Sequence, residues 1–162
     1  WCKINKAEES LNNFLFLNVA TIDATIFSQA MATAAEEKGL GLCYLGTVNY
    51  MAKEISSLLG LPKGVIPVTT LTIGYPDEEP KLTERLPLSS IVHYEKYNDY
   101  SDKDIKEMYK DIEENPVNKQ FVKENNKENL AQVFTSVRYN SKDNEEFSKK
   151  YKEFIKESFC EL

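Results

Sequence analysis

The residues able to do chemistry are few and scattered. The run GLGLCYLGTVN, residues 39–49, holds Gly39, Gly41 and Gly46, half of the chain's 6 glycines. Glycine-rich turns can cradle phosphates, but the dinucleotide fingerprint follows a strand and opens a helix. Here Gly39 and Gly41 follow a helical segment and lead into an apolar one, so they read as a helix stop and the start of a buried strand. Gly46 differs. It closes the apolar stretch directly before Thr47 and a new helix, where a missing Cβ lets a flat ligand approach the backbone and helix-start amides lie near. The second point is Arg85. Of 20 basic residues only Arg85 and Arg138 are arginine. A guanidinium held on a stiff segment between Pro80 and Pro87 suits bidentate recognition of a carboxylate or phosphate, which lysine cannot reproduce. The alternative is an ion pair with the acidic loop at residues 77–79. His93, the single histidine, has no Ser, Cys or Asp arranged around it as a triad and reads as structural. No HExxH, nucleophile elbow or Walker pattern occurs, so if the protein is an enzyme a cofactor supplies the reactivity.

These residues need elements to hold them. Residues 13–20, NFLFLNVA, form a short apolar run, after which Asp23 is positioned to cap a helix over residues 23–38. Ala24, Ile26, Phe27, Ala30, Met31, Ala34 and Ala35 give that helix a broad apolar face, which predicts burial and close approach of a neighbour. Gly39 supplies its left-handed stop. A second helix is expected over residues 48–59, ending at Gly60 and Pro62. VIPVTTLTI, residues 65–73, has the β-branched content of a central strand, with Pro67 at its entry. Gly74, Tyr75 and Pro76 break it, and residues 81–94 run extended between prolines. After Tyr100 the texture changes to polar helices with narrow apolar stripes. Ser101 and Asp104 predict a capping box, Ile105, Met108, Tyr109 and Ile112 share one face, and Asn115 with Pro116 stop that helix. Leu130, Val133, Phe134 and Val137 repeat the spacing, as do Phe147, Tyr151, Phe154 and Ile155, so three amphipathic helices are expected. The change of texture reads as a move from core to periphery within one domain.

The 162 residues suffice for one sizeable core. A net charge of -6 without a basic stripe argues against nucleic acid. Cys2, Cys43 and Cys160 are distant and odd in number, which suits neither a disulfide framework nor a zinc site and points to a reducing compartment. No apolar run is read as long enough to cross a bilayer and no signal-peptide pattern opens the chain, so a soluble, cytoplasmic protein without membrane contact is expected. The first residue is Trp1, from which processing or truncation is expected.

Taken in order, DATIFSQAMATAAEEKGLGLCYLGTV and EISSLLGLPKGVIPVTTLTIGYPDEEPKLTERLPLSSIVHYEKY resemble the C-terminal half of the nitroreductase family, and more closely its branch of larger flavin reductases. The resemblance is continuous over residues 23–97 and looser through NLAQVFTSVRY to the C-terminal helix. It implies a three-layer α/β/α fold of the α+β class with a central mixed sheet, an intertwined homodimer and FMN at the subunit interface. It also implies NAD(P)H as hydride donor and a small-molecule acceptor (a nitroaromatic, a quinone or another flavin) reduced in ping-pong fashion. By the same resemblance Leu45, Gly46 and Thr47 lie against the isoalloxazine ring, Arg85 reaches the FMN phosphate, and no protein residue carries the chemistry that the flavin supplies.

Two departures qualify that expectation. Many close relatives have lysine two residues before the arginine, and this chain has Thr83. The family's N-terminal helices with their arginine-rich phosphate site have no counterpart, so the chain is read as a C-terminal portion, expected on its own to self-associate and to hold FMN weakly. The reading from another class is a non-catalytic remnant of the fold that serves as a dimerisation or binding module.

Overall fold

The computed structural model describes residues 1–80 and 82–159, so Cys160 lies outside it; Cys2 and Cys43 are free thiols. The chain divides into two compact units, residues 1–79 with the chain from 145 on, and residues 80–144.

The first unit opens with α1 (Phe14–Glu37), a single helix where a short run and a helix from residue 23 were expected. Asn13 is its cap: the side-chain oxygen accepts from the Phe16 amide at 3.2 Å, satisfying a donor that the first turn leaves open. Asp23 therefore sits in mid-helix. Thr21, Thr25, Ser28 and Thr33 turn their hydroxyls back onto carbonyls of the preceding turn, which lets a helix carry such residues without orphaned donors. At the other end Gly39, at φ +73°, closes a paired cap in which its amide donates to Glu36 and the Leu40 amide to Ala35. Within α1 only Ser28, Ala32 and Ala35 are buried. Ala34 faces outward, and Ile26 and Phe27 are 64% and 68% exposed. The expected burial of the whole alanine-rich face is thus corrected to one narrow line. A second correction concerns length: α1 is long and apolar enough to cross a membrane by length and composition alone, a test that core helices of globular proteins also pass.

β1 (Gly41–Leu45) follows and pairs antiparallel with β2 (Thr70–Gly74), Gly41 opposite Gly74 and Leu45 opposite Thr70. The expected strand over residues 65–73 thus contributes only its second half to pairing, and Pro67, which has no amide to donate, stays outside the ladder. Among the described residues the sheet consists of these two strands. Between them lie a 3-10 turn over Gly46–Met51 and α2 (Ala52–Leu59), where a continuous helix from Val48 was expected. Left-handed Gly60, at φ +62°, ends α2. α6 (Ser141–Ser158) packs on this segment through Phe154, which is buried, through the stacked rings of Tyr50 and Phe147 at 4.7 Å, and through Lys53 Nζ to Glu157 Oε2 at 2.6 Å. Val48, Ala52, Ala32 and Ala35 complete the buried apolar set of this unit among the described residues.

In the second unit residues 82–101 are irregular apart from a 3-10 turn at Leu88–Ser90. The capping box forms as expected at the head of α3 (Asp102–Glu114). Asn115 then does two jobs. It ends α3, and its side chain caps α4 (Pro116–Glu124), a helix that the stop signal concealed. α5 (Leu130–Val133) is capped by Asn129 and seats Val133, which is fully buried. It passes directly into a π turn over Phe134–Arg138, closed by the Tyr139 amide on the Phe134 carbonyl at 2.8 Å.

Candidate functional site

Leu45, Gly46 and Thr47 come together where β1 gives way to the 3-10 turn, all three exposed. The place is held from below. Val48 and Ala52 are buried immediately after it, the ladder with β2 fixes Leu45 against Thr70, and the Ser28 hydroxyl meets the Tyr44 hydroxyl at 3.2 Å, tying α1 to β1. Gly46 has no positive φ, and a Cβ built there would meet nothing within 4 Å. Glycine is therefore required neither by backbone conformation nor by packing inside this chain. What it leaves is an uncovered stretch of main chain beside the apolar Leu45 side chain. The expected helix start is a 3-10 turn that opens at Gly46 itself, so its first amides belong to this stretch, while α2 begins only at Ala52.

Beside this stretch, Asn49 and Tyr50 line a cleft of about 180 Å³ whose other wall is Lys150, Tyr151 and Phe154 of α6. The Asn49 Oδ1 atom is buried there with no hydrogen-bond partner among the described residues. Burial pushes the Tyr151 phenol above its ordinary value, and the Glu146 carboxylate at 2.6 Å raises the Lys150 ammonium.

Thr83 and Arg85 belong to the other unit and are joined to each other. The Arg85 guanidinium donates to the Thr83 hydroxyl and, at 3.2 Å, to the Glu84 carbonyl. Among the described residues the ion pairs are Lys53 with Glu157 and Lys150 with Glu146, so the carboxylate partner weighed for Arg85 in the acidic loop is not found. Its exposed guanidinium keeps donors for an anion, and Thr83 takes up one of them. Glu84 itself accepts from the Asn115 side chain.

His93 has the structural role expected. Its Nδ1 accepts from the Asn98 amide at 3.3 Å, which places the proton on Nε2. Nε2 lies 3.0 Å from the Tyr100 hydroxyl, which in turn donates to the Ser90 carbonyl at 2.8 Å. Every polar atom of the ring is thereby used in holding residues 90–100. Arg138 is the residue that sequence reasoning passed over. Its guanidinium carbon lies 4.8 Å from the Phe121 ring centre and 5.8 Å from that of Phe134. The scarcity of arginine marked the residue, but nothing in the local sequence signals the two rings. No cluster of metal-ligating side chains occurs among the described residues.

Comparison with known proteins places these features. Residues 16–75, which contain α1 from its third residue on, β1, the Gly46 turn, α2 and β2, match the nitroreductase family. A Cr(VI) reductase of Pseudomonas sp. strain G-1 is 36% identical over 96 residues, 59% of this chain and 40% of that protein. An FMN reductase (NADPH) of Bacillus subtilis strain 168 is 34% identical over 90 residues, 56% of this chain and 36% of that protein. Among solved structures, a protein from Bacteroides fragilis NCTC 9343 superposes with a TM-score of 0.94 at 43% identity, over 97% of this chain and 64% of its own. The chain therefore has the α+β fold of nitroreductases and spans less than two thirds of the length of each of these proteins.

Proposed function

We propose that this chain is the part of an FMN-dependent NAD(P)H oxidoreductase that lines one side of the flavin. The observation that carries the reading is the uncovered main chain at Gly46, within the segment matching the nitroreductase family. Leu45 offers an apolar edge to the isoalloxazine ring, Gly46 admits its plane, and the amides of Gly46 and Thr47 face negative charge as the ring is reduced. Arg85 is the phosphate ligand, and Thr83 is its positioning residue, since its hydroxyl already holds the guanidinium. FMN, when bound, supplies hydride acceptance from NAD(P)H and electron delivery to a second substrate. The protein's own share is to orient the ring, exclude water from one face and balance charge. Nitroaromatics, quinones and free flavins are the acceptor class, taken after the nicotinamide has left. The working unit is a homodimer, for which the exposed Ile26 and Phe27 on α1 supply an apolar contact face, and the compartment is the cytoplasm.

The test is titration of FMN into the purified chain, followed by flavin fluorescence and by NADPH oxidation with a quinone. Quenching that weakens in Gly46→Val and in Arg85→Lys supports the reading. Quenching that neither variant alters would move the flavin elsewhere. No perturbation of FMN at millimolar protein, with the fold intact, would favour the non-catalytic binding module.

A further inference from the structure

Residues 93–100 close on one imidazole through two hydrogen bonds that answer differently to a proton. His93 Nδ1 accepts from the Asn98 amide at 3.3 Å. On the other side of the ring, Nε2 lies 3.0 Å from the Tyr100 hydroxyl, whose own proton goes to the Ser90 carbonyl at 2.8 Å. Nε2 carries a hydrogen in the neutral ring and in the charged one, so the Tyr100 side is the same in both. Nδ1 is an acceptor only while the ring is neutral. Protonated, it becomes a second donor pointed at the donor of Asn98. Among the described residues no carboxylate bonds the ring to meet that charge. The charged side chains of the loop are Glu95, Lys96 and Asp99, and Asp99 is engaged by the Tyr97 hydroxyl at 3.2 Å and the Tyr100 amide at 2.9 Å.

The loop also has strain to release. Glu95 stands at φ +61°, in the left-handed region that a residue with a Cβ occupies at a cost. Across it the Lys96 amide donates to the Tyr94 carbonyl at 2.6 Å, a three-residue turn of the rare, strained hand. The bond from Asn98 to Nδ1 helps to offset that cost. The Tyr97 ring, 4.7 Å from the imidazole, attracts the charged form. That contact is made by a side chain and survives a shift of the main chain, whereas the Asn98 amide moves only with the loop. We infer that His93 is a proton-operated latch on residues 94–98, fastened while Nδ1 accepts and released when Nδ1 takes a proton, with Tyr100 anchored to Ser90 in both states. Because the closed loop disfavours the protonated ring, the segment is closed at higher pH and opens as pH falls through the titration of the imidazole. The device lies within the second unit, between Arg85 and α3, and does not depend on flavin binding.

His93 is the single histidine, so nitrogen-15 NMR of the whole chain reports its ring without ambiguity. The ring nitrogens and the hydrogen exchange of the Asn98 amide, corrected for the intrinsic effect of pH, are followed from about pH 8 to about pH 5. At the upper end the ring should show the tautomer with hydrogen on Nε2. As the ring is protonated, protection of the Asn98 amide should fall about tenfold, with the same midpoint as the ring. The other tautomer at high pH, or protection at Asn98 that does not follow the ring, would overturn the inference. In His93→Gln, which has no imidazole to titrate, the amide signals of residues 94–98 should lose their pH response over this range. A response that persists there would overturn the latch as well. Should that variant fail to fold, the parent titration decides alone. Tyr100→Phe removes the partner of Nε2 and leaves Nδ1 in place, so the response at Asn98 should remain; its loss would show that the latch is not at Nδ1.

Discussion

Residues 45–47 and residues 83–85 are built on opposite plans. The first is main chain left bare, its position set by a ladder on one side and by Val48, Ala52, Ala32 and Ala35 beneath. The second is a single long side chain on irregular backbone, steadied by one hydroxyl and one carbonyl. A contact surface made of backbone depends on its main chain staying uncovered and on the core that shapes it. A contact made by a side chain depends instead on the chemistry of that one residue.

The largest effect that separates the two plans lies in α1. Ala32→Glu places an unpaired carboxylate where the residue is 3% exposed, and should destabilise the first unit by on the order of 3 kcal/mol or more. The neighbouring Ala34→Glu, on the outward side, should change a denaturation midpoint hardly at all. Equal effects of the two would show that the buried line on α1 is drawn wrongly. Next comes Gly46→Val. With nothing within 4 Å of the new Cβ, the melting curve should be preserved, while FMN affinity in a fluorescence titration drops by roughly thirtyfold, about 2 kcal/mol. Arg85→Lys keeps the charge and removes the fork, so the same titration should weaken about tenfold, about 1.4 kcal/mol. If the lysine variant binds as well as the parent, recognition there is by charge alone.

The smallest effect concerns Asp104, at the head of α3. The Ser101 hydroxyl at 2.6 Å and the Ser101 amide at 2.9 Å hold its carboxyl below the ordinary value of 3.8. Because the folded value is the lower one, the contribution to stability is complete above the unfolded pKa and is lost as pH falls through the folded pKa. A carbon-detected NMR titration should show Asp104 titrating lower than in Ser101→Ala, where the hydroxyl's share of the depression is lost and the amide's remains. Nothing at residues 45–47 should respond in that pH range.

What could be read from sequence was what near neighbours decide. The stops at Gly39 and Gly60 and the Ser101 box depend on residues within a turn of each other, and each stands where expected. α1 was misjudged at both levels. A run of eight residues carries too little periodicity to separate strand from helix, so its first turns and its Asn13 cap were missed. A helix apolar on most sides also gives no polar stripe to fix which line is buried, hence Ala34 inside the expected face and Ala32 outside it, while Ala35 is buried as expected. Asn115–Pro116 ends one helix and starts the next with the same two residues, and the sequence displays only the first meaning. At the candidate site, the place of Gly46 between a strand and a turn was visible from the apolar run that ends there. The grip of Thr83 on Arg85 was not, since a threonine two residues away is no signal without the backbone that joins them.

The π turn after α5 has a consequence for chain length. Its closing bond spans five residues where an α-helix spans four, so the segment holds one residue more than an α-helical path would need. A chain shortened by one residue here, at Ser136 for instance, can keep α5 and α6 where they are and continue the ordinary ladder. What changes is confined to the turn: its remaining residues, Arg138 among them, re-aim by up to about 100°, and the guanidinium leaves its seat over Phe121. Length variation confined to one residue at this point is therefore silent for the scaffold and decisive for that guanidinium.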